Sequence, residues 1–256
     1  MAGGQALRAS EMPRDIQIRA LESQPDFREA VKLQKIIWGF EDVDLLPARL
    51  FTVATKIGGQ AFGAFHDNRM VAFCLSLPGL KAGGGYYLHS HMLGVADDYR
   101  NDGIGRRLKL RQREEALERG LALMEWTFDP LELKNAYFNI ERLGAVIRRY
   151  VRNQYGKTSS QLHGGLPTDR CTAEWWLQSE RVANAIAGRA VVKPEIEARV
   201  AVPSDIHQLR AHQPQRAREI QAALGDRFEE LFRADLAVVG FERTASAGTY
   251  CFGRLA

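Results

Sequence analysis

The stretch from Leu93 to Arg107 constrains the fold of this chain more than any other. It reads LGVADDYRNDGIGRR and joins an apolar run over 86–95 to a charged segment with helical character. This order predicts a strand, a glycine loop and the start of a helix. The first N–H groups of a helix lack intrahelical partners and carry partial positive charge, so they form an anion site. Gly103 and Gly105 have no Cβ atom, which lets a phosphate approach the backbone closely.

The segments before this stretch alternate between the two kinds of periodicity. Strict polar–apolar alternation predicts a strand, and apolar residues at helical spacing predict two helices before a hairpin. Pro47 is suited to opening the second helix, and Gly58-Gly59 to ending it. The predicted ranges are strand 15–21, helices 24–38 and 48–57, and strands 60–66 and 70–77 around the turn Asp67-Asn68-Arg69.

The segments after the glycine loop continue as helix, strand, helix, strand and strand. The strand over 121–128 is apolar on both faces, which predicts a central position in the sheet. The ranges are a helix to 119, strand 121–128, a helix over 133–143 capped by Gly144, and strands 145–152 and 170–178. Beyond them the pattern predicts helix 181–190, strand 195–202, a helix opened by Ser204-Asp205, helix 216–232 and a hairpin of 237–243 with 249–254.

Two sequence motifs lie on either side of the predicted central strand. The first is RNDGIG at 100–105, preceded by the hydrophobic residues Leu93 and Val95, and the second is NAYFNIERLG at 135–144. With these motifs the chain resembles the GNAT superfamily of acyl-CoA-dependent N-acyltransferases. The acyl-CoA loop of that family reads Arg or Gln, two variable residues, Gly, one variable residue, then Gly or Ala. The resemblance covers residues 15–178 and points to a bacterial branch with a C-terminal extension.

The resemblance implies an α+β fold of the α/β/α sandwich type. Its central sheet is mixed and mostly antiparallel, and it is splayed between the fourth and fifth strands. It implies an acyltransferase core over 13–180, which leaves 181–256 as a C-terminal extension of helices and a hairpin that packs on the core. Covering a sheet edge is a sufficient reason for such an extension. Closing the acceptor site and building a homodimer are the alternatives.

The resemblance also implies how the co-substrate, acetyl-CoA or another acyl-CoA, is bound. The backbone amides of the glycine loop would hold the pyrophosphate. A bulge near Leu93-Gly94-Val95 would splay the strand, so that pantetheine pairs with its backbone and an amide holds the oxyanion of the tetrahedral intermediate. The implied binding residues are Leu93, Gly94, Val95, Arg100, Asn101, Asp102, Gly103, Ile104, Gly105, Arg106, Asn135 and Phe138.

The proton donor for the CoA thiolate is where this chain departs from the family. The family commonly has a tyrosine four residues before the glycine of Leu-Gly, and here that position is Ile140. Tyr137 lies one turn earlier, so either Tyr137 or water takes the role, or transfer proceeds without a side-chain acid. A thiolate leaves without strong assistance, so losing the acid need not abolish the reaction. The structural alternative for Tyr137 is packing on CoA or on the core.

The candidate bases for the acceptor amine are histidines and carboxylates on the two splayed strands. His89 and His91 alternate along one strand, so both are predicted to point to the same face. Glu125 lies on the facing strand, with Asp129 at its end. The structural alternatives are a packed histidine pair for His89 and His91, and a buried ion pair for Glu125.

The cationic and aromatic residues around the two motifs are assigned mainly structural roles. The tryptophans are predicted to be core and pocket wall. The cations of the helix are predicted to form a solvated face, from which one or two reach CoA phosphates. These residues are Trp126, Trp175 and Trp176, and Arg106, Arg107, Lys109, Arg111 and Arg113.

Composition limits the remaining classes of protein. Of 256 residues, 45% are hydrophobic and 26% charged, as in ordinary soluble domains. Three scattered cysteines predict no disulfide framework and no metal site, and they fit a reducing cytoplasm. No apolar run reaches the roughly 20 residues of a membrane span, and the polar N-terminus does not read as a signal peptide. A net charge of +4 suits an anionic ligand without indicating nucleic acid.

The sequence therefore favours an acyl-CoA-dependent N-acyltransferase that acts by direct transfer in a ternary complex. The acceptor would be a primary amine of a small molecule or a peptide. The alternative is a non-catalytic acyl-CoA-binding or sensor protein of the same fold, because Ile140 stands at the acid position. A basic nucleic-acid module is disfavoured, since neither an aromatic–basic platform nor a recognition helix is evident.

Overall fold

The computed structural model of the chain describes residues 14–156 and 165–255 and places ten strands in one sheet. The order across the sheet is β1-β2-β3-β4-β5-β7-β6-β9-β10-β8. The strands are β1 Gln17–Ala20, β2 Gln60–His66, β3 Arg69–Leu80, β4 Tyr86–Val95, β5 Leu123–Phe128, β6 Val146–Val151, β7 Arg170–Trp176, β8 Ala198–Pro203, β9 Ala237–Arg243 and β10 Ala247–Gly253.

Seven α-helices lie within the described residues. They are α1 Gln24–Trp38, α2 Ala48–Lys56, α3 Ile104–Glu118, α4 Leu133–Tyr137, α5 Glu180–Ile186, α6 Ile206–His212 and α7 Pro214–Arg233. The first begins with a capping box between Ser23 and Asp26, and Gly39 ends it in the left-handed conformation, with φ 65°. These local signals explain why the predicted bounds of α1 are confirmed.

The sheet is open, mixed and mostly antiparallel, as the resemblance implies. The pair β4–β5 is parallel, while the other pairs from β1 to β10 are antiparallel. Strand β5 takes the central position that its two apolar faces predict. The turn between β2 and β3 holds Asp67 and Asn68 at φ 48° and 62°, which suits a tight hairpin.

The first four strands are covered on both faces. Neighbouring residues of β3 belong to different hydrophobic clusters: Phe73 packs with α1 and α2, whereas Cys74 packs with α3. Because neighbouring residues of a strand point to opposite faces, α1 and α2 lie on one side and α3 on the other. The junction of β4 with β5, where the candidate site lies, is between α1 and α2 on one side and α3 on the other.

Residues after 180 add strands to the same sheet. Strand β9 pairs with β6 at Val238 and Ile147, and β10 and β8 follow outward. Helix α7 packs Phe228 against Tyr150 and Tyr250, with ring centroids 5.7 and 5.0 Å apart. The sheet is therefore continuous from the predicted core into the predicted extension.

Two local features differ from the sequence prediction. The helix expected over 133–143 changes after Tyr137 into a π-helix, Phe138–Arg142, in which the Leu143 N–H donates to the Phe138 carbonyl. The β4 bulge lies at His91, because Met92 pairs with Leu75 and Ser90 with Ser76. It was expected two to four residues later. The polar N-terminal residues 1–13 and loop residues 157–164 lie outside the described part.

No helix in the described ranges is both long enough and apolar enough to cross a membrane. Within the same ranges, no group of three or more His, Cys, Asp or Glu side chains is arranged to hold a metal ion.

Candidate active site

A group of unpaired backbone N–H groups lies where the chain enters α3. Gly103 has φ 75° and Asn101 has φ 71°, a backbone region that glycine and asparagine tolerate best. The Arg107 N–H donates to the Gly103 carbonyl over 3.0 Å and starts the helical hydrogen bonding. The N–H groups of 103–106 precede that bond, so they are available to an anion. We call these four N–H groups the cradle.

Gly105 brings the start of α3 close to β4. A Cβ placed there would lie 3.4 Å from Leu93 Cδ2 and 3.8 Å from Val95 Cγ2, which are ordinary contact distances. The backbone N–H groups at the start of α3 therefore lie beside the end of β4. Gly94 serves another purpose, since a Cβ there would approach the Trp38 ring to 2.7 Å.

The guanidinium groups next to the cradle are held by protein atoms. Arg106 donates to the Ile186 carbonyl and Arg107 to the Ile16 carbonyl, each over 2.6 Å. Arg100 pairs with Asp97 at 2.7 Å. The structure thus gives the cradle backbone donors rather than free arginine side chains.

A cleft opens between β4 and β5, on the strand that leads to the cradle. The two strands pair only at Leu88 with Met124 and at His89 with Glu125, and beyond these residues they diverge. The predicted splay is confirmed. We use the term cleft for this gap between β4 from Ser90 onward and β5 from Trp126 onward.

The backbone of β4 presents hydrogen-bonding groups to the cleft. The Ala96 N–H donates to the Val71 carbonyl of β3 over 2.9 Å. Since N–H groups alternate between the two sides of a strand, those of Leu93 and Val95 point away from β3 and into the cleft. These are the two residues whose backbone was expected to pair with pantetheine.

The bulge at His91 changes which residues of β4 face α3. Leu88 and Ser90 face α3 before the bulge, and Leu93 and Val95 face α3 after it. The extra residue shifts the alternation by one position. His89 and His91 occupy the opposite face, with ring centroids 6.0 Å apart, which confirms that they share one face.

Burial favours the neutral form of both histidines. Burial and the neighbouring His91 lower the pKa of His89 from 6.5 to about 4, and burial lowers the pKa of His91. Each ring stays partly accessible. A neutral imidazole has a nitrogen lone pair that accepts a proton, so both rings are chemically competent as bases.

Glu125 already forms ion pairs with two cationic side chains. The residue is 2% exposed, and its carboxylate accepts from Lys81 Nζ and forms an ion pair with Arg149 Nη2 at 2.7 Å. Neighbouring Glu174 pairs with Arg148. This arrangement favours the buried ion pair, which was the structural alternative for Glu125. Asp129, at the end of β5, pairs with Arg210 at 2.6 Å.

The acid position of the family has no proton donor here. Ile140 is 0% exposed and lies on the buried side of the π-helix, where it packs in the core. The Tyr137 ring lies 5.4 Å from the Arg243 guanidinium of β9, which favours its packing alternative. Asn135 is exposed and Phe138 is half-buried, while Asn139 accepts from Trp126 Nε1 over 3.2 Å.

Lys109 is the site residue that the sequence prediction misplaced. It was assigned to a solvated helix face, yet it is only 4% exposed. Its Nζ donates to Ser90 Oγ over 2.8 Å and lies 3.7 Å from the centre of the Trp126 ring. Burial lowers the pKa of Lys109 to about 7. The sequence does contain a signal for this burial. Lys109 lies one turn after Gly105 and one turn before Gln112, and both of these residues are on the inner side of α3.

The lowered pKa of His89 predicts a pH-dependent stability. Between pH 6.5 and about 4 the unfolded chain binds a proton that the folded His89 does not, so stability falls as the pH drops. For His89→Gln we expect the loss of unfolding free energy from pH 7 to pH 5 to be about 2 kcal/mol smaller than in the wild type. Urea unfolding at both pH values measures it, and equal losses in the two proteins would contradict it.

Comparison with known proteins agrees with this geometry. Residues 25–144 match the family model of the acetyltransferase (GNAT) family. No curated protein sequence matches the chain significantly. Among solved structures, the ribosomal-protein-S18-alanine N-acetyltransferase from Escherichia coli is 18% identical with a TM-score of 0.51, covering 64% of this chain and 96% of that one.

Two further structures share this fold. The aminoglycoside 6′-acetyltransferase type Ii is 20% identical, with a TM-score of 0.50 over 64% of this chain and 99% of that chain. NAA60 of Arabidopsis thaliana, solved with a bisubstrate analogue, is 13% identical, with a TM-score of 0.50 over 63% and 99%. At such identities these structures show a common fold alone. Residues 25–144 therefore match the acetyltransferase (GNAT) family, and the chain shares the fold of these acetyltransferases.

Proposed function

We propose that the protein transfers an acyl group from acyl-CoA to a primary amine by direct transfer in a ternary complex. The observation that carries this proposal is the cleft between β4 and β5, which leads straight from the cradle. The cradle suits a pyrophosphate. The inward N–H groups of Leu93 and Val95 suit a pantetheine arm bound like an added strand.

The chemistry needs a base for the amine and stabilisation of the oxyanion. The amine nitrogen attacks the thioester carbonyl, the C–N bond forms, and the C–S bond breaks to release CoA. His91 is our candidate base because it lies at the bulge, two residues beyond the last residue pair of β4 and β5, with the His89 ring beside it. A cleft-facing N–H of β4 would hold the oxyanion. Glu125 is a weaker candidate, given its two cations.

The family's usual position holds no side-chain acid here to protonate the thiolate as it leaves. Ile140 has no proton to give, so solvent or Tyr137 would protonate the released thiolate. The same observation supports the second candidate function, an acyl-CoA-binding or sensor protein without turnover. The free, buried cysteines Cys74, Cys171 and Cys251 are consistent with a cytoplasmic location.

Acyl-CoA binding and thiol release test the proposal. Calorimetric titration with acetyl-CoA is expected to show saturable binding, and a panel of primary amines to give thiol release with at least one acceptor. In His91→Gln we expect kcat to fall about 100-fold with acyl-CoA affinity unchanged, as for loss of a general base.

The matched control is His207→Gln, which changes an exposed histidine on α6. Its kcat is expected to equal that of the wild type. Binding without thiol release from any amine would favour the sensor function, and no acyl-CoA binding would rule out both.

A further inference from the structure

Lys109 is a buried amino group for whose charged form the described structure shows no carboxylate partner. Its ammonium group has three N–H donors, of which one is taken by Ser90 Oγ, and one of its sides lies against the Trp126 ring. Cys74 is nearby, but burial raises the pKa of its thiol to about 12, so it carries no negative charge. Glu125 follows the opposite face of β5, because it is adjacent to Trp126, and it is bound by Lys81 and Arg149.

A second donor beside Lys109 also lacks an acceptor. Gln112 Oε1 accepts from Ser90 Oγ over 3.1 Å, whereas the buried Gln112 Nε2 has no hydrogen-bond partner among the described residues. Burying a cation and an amide N–H without acceptors is costly. The group formed by Ser90, Lys109 and Gln112 is therefore rich in donors and poor in acceptors.

This group lies at the closed end of the cleft. Ser90 and Trp126 are the first residues of β4 and β5 past their last pair, and Lys109 Nζ contacts both side chains. From Val95, next to the cradle, to Ser90 the strand runs beside four residue steps of β3, which is about 13 Å at about 3.3 Å per residue. An extended pantetheine arm covers such a distance, so it delivers the acyl group to the closed end.

We propose that Lys109 receives the free carboxylate of a dicarboxylic acyl group, so that the preferred donor is the CoA monothioester of a short dicarboxylic acid. This inference rests on the proposed acyl-CoA transfer. The far carboxylate does not react: the amine still attacks the thioester carbonyl, CoA leaves, and the product is an amide with a free carboxylate. Entry of the anion supplies the acceptor that Lys109 and Gln112 lack.

The test compares succinyl-CoA with butyryl-CoA, which has the same four-carbon acyl chain without the charge. In calorimetric titrations the wild type is expected to bind succinyl-CoA about 10-fold to 100-fold more tightly, as for a charged hydrogen bond. In Lys109→Met this preference is expected to disappear. Acetyl-CoA binding by the same variant shows that it is folded. Arg111→Met, on the exposed side of α3, is the matched control and should keep the preference.

The outcomes separate this inference from the proposed function. Equal affinity of the wild type for succinyl-CoA and butyryl-CoA would overturn the inference while leaving acyl-CoA binding intact. A preference that survives in Lys109→Met would overturn the role of Lys109. If acetyl-CoA, butyryl-CoA and succinyl-CoA all fail to bind the wild type, the proposed function fails as well.

Discussion

Gly105→Glu is expected to abolish acyl-CoA binding while leaving the protein folded. The new side chain would start beside Leu93 and Val95, at the first turn of α3 where the cradle lies. Its carboxylate would also occupy the cradle and repel a pyrophosphate. Losing two charge-assisted hydrogen bonds costs about 3–6 kcal/mol, so the affinity should fall more than 100-fold.

Stability distinguishes this loss from misfolding. A carboxylate in the first turn of a helix is favourable by about 0.3–1 kcal/mol, and a Cβ at this position meets its neighbours at ordinary contact distances. The urea midpoint of Gly105→Glu is therefore expected to match or exceed that of the wild type. Gly105→Ala is the control and should keep acyl-CoA affinity within a few fold. Tight binding by Gly105→Glu would show that the ligand does not use the cradle.

Arg210→Met is expected to cause a large loss of stability while leaving the cleft intact. The buried Arg210 guanidinium of α6 donates to Asp129 over 2.6 Å and to Glu132 over 2.7 Å, and so joins the helices after residue 180 to the end of β5. Removing one partner from a buried ion pair costs about 3–5 kcal/mol. We expect about 3 kcal/mol, because Glu132 is partly exposed.

Arg199→Met provides the contrasting measurement. Arg199 pairs with Glu242 at 3.5 Å, with both side chains more than half exposed, so its loss should cost less than about 1 kcal/mol. Urea unfolding of both variants makes the comparison. We propose that 13–180 and 181–256 unfold together, since one sheet runs through both. A separate first transition in Arg210→Met would show that the extension unfolds alone, and equal losses in the two variants would contradict the role of Arg210.

Much of the fold follows from local signals in the sequence. The range 24–38 predicted for α1 and the range 86–95 predicted for β4 are confirmed without change, because caps, prolines, glycines and apolar runs mark their ends. The hairpin between β2 and β3 is confirmed for the same reason, since Asp67 and Asn68 accept positive φ. The pairing of β6 with β9 is different. It joins residues distant in the sequence, and no local pattern encodes it.

The candidate site was predictable in its backbone and less so in its side chains. The cradle depends on glycine positions and a helix start, which can be read from sequence. The ion pairs of Glu125 come from β6 and from the loop before β4, so they depend on tertiary packing. Lys109 looked solvated because lysine usually is. The π-helix after Tyr137 adds a residue to one helical turn, which no spacing rule for α-helices anticipates.

Because of the bulge at His91, β4 depends more on its number of residues than on which residues they are. A deletion of one residue between Ser90 and Leu93 would remove the bulge and restore strict alternation, with Ser90, Leu93 and Val95 all facing α3. The local bend that the bulge gives β4 beside β5 would then be lost. Exchanges of side chain at position 91 leave this count unchanged. Chains related to this one by descent can therefore vary in sequence along β4 more freely than in length.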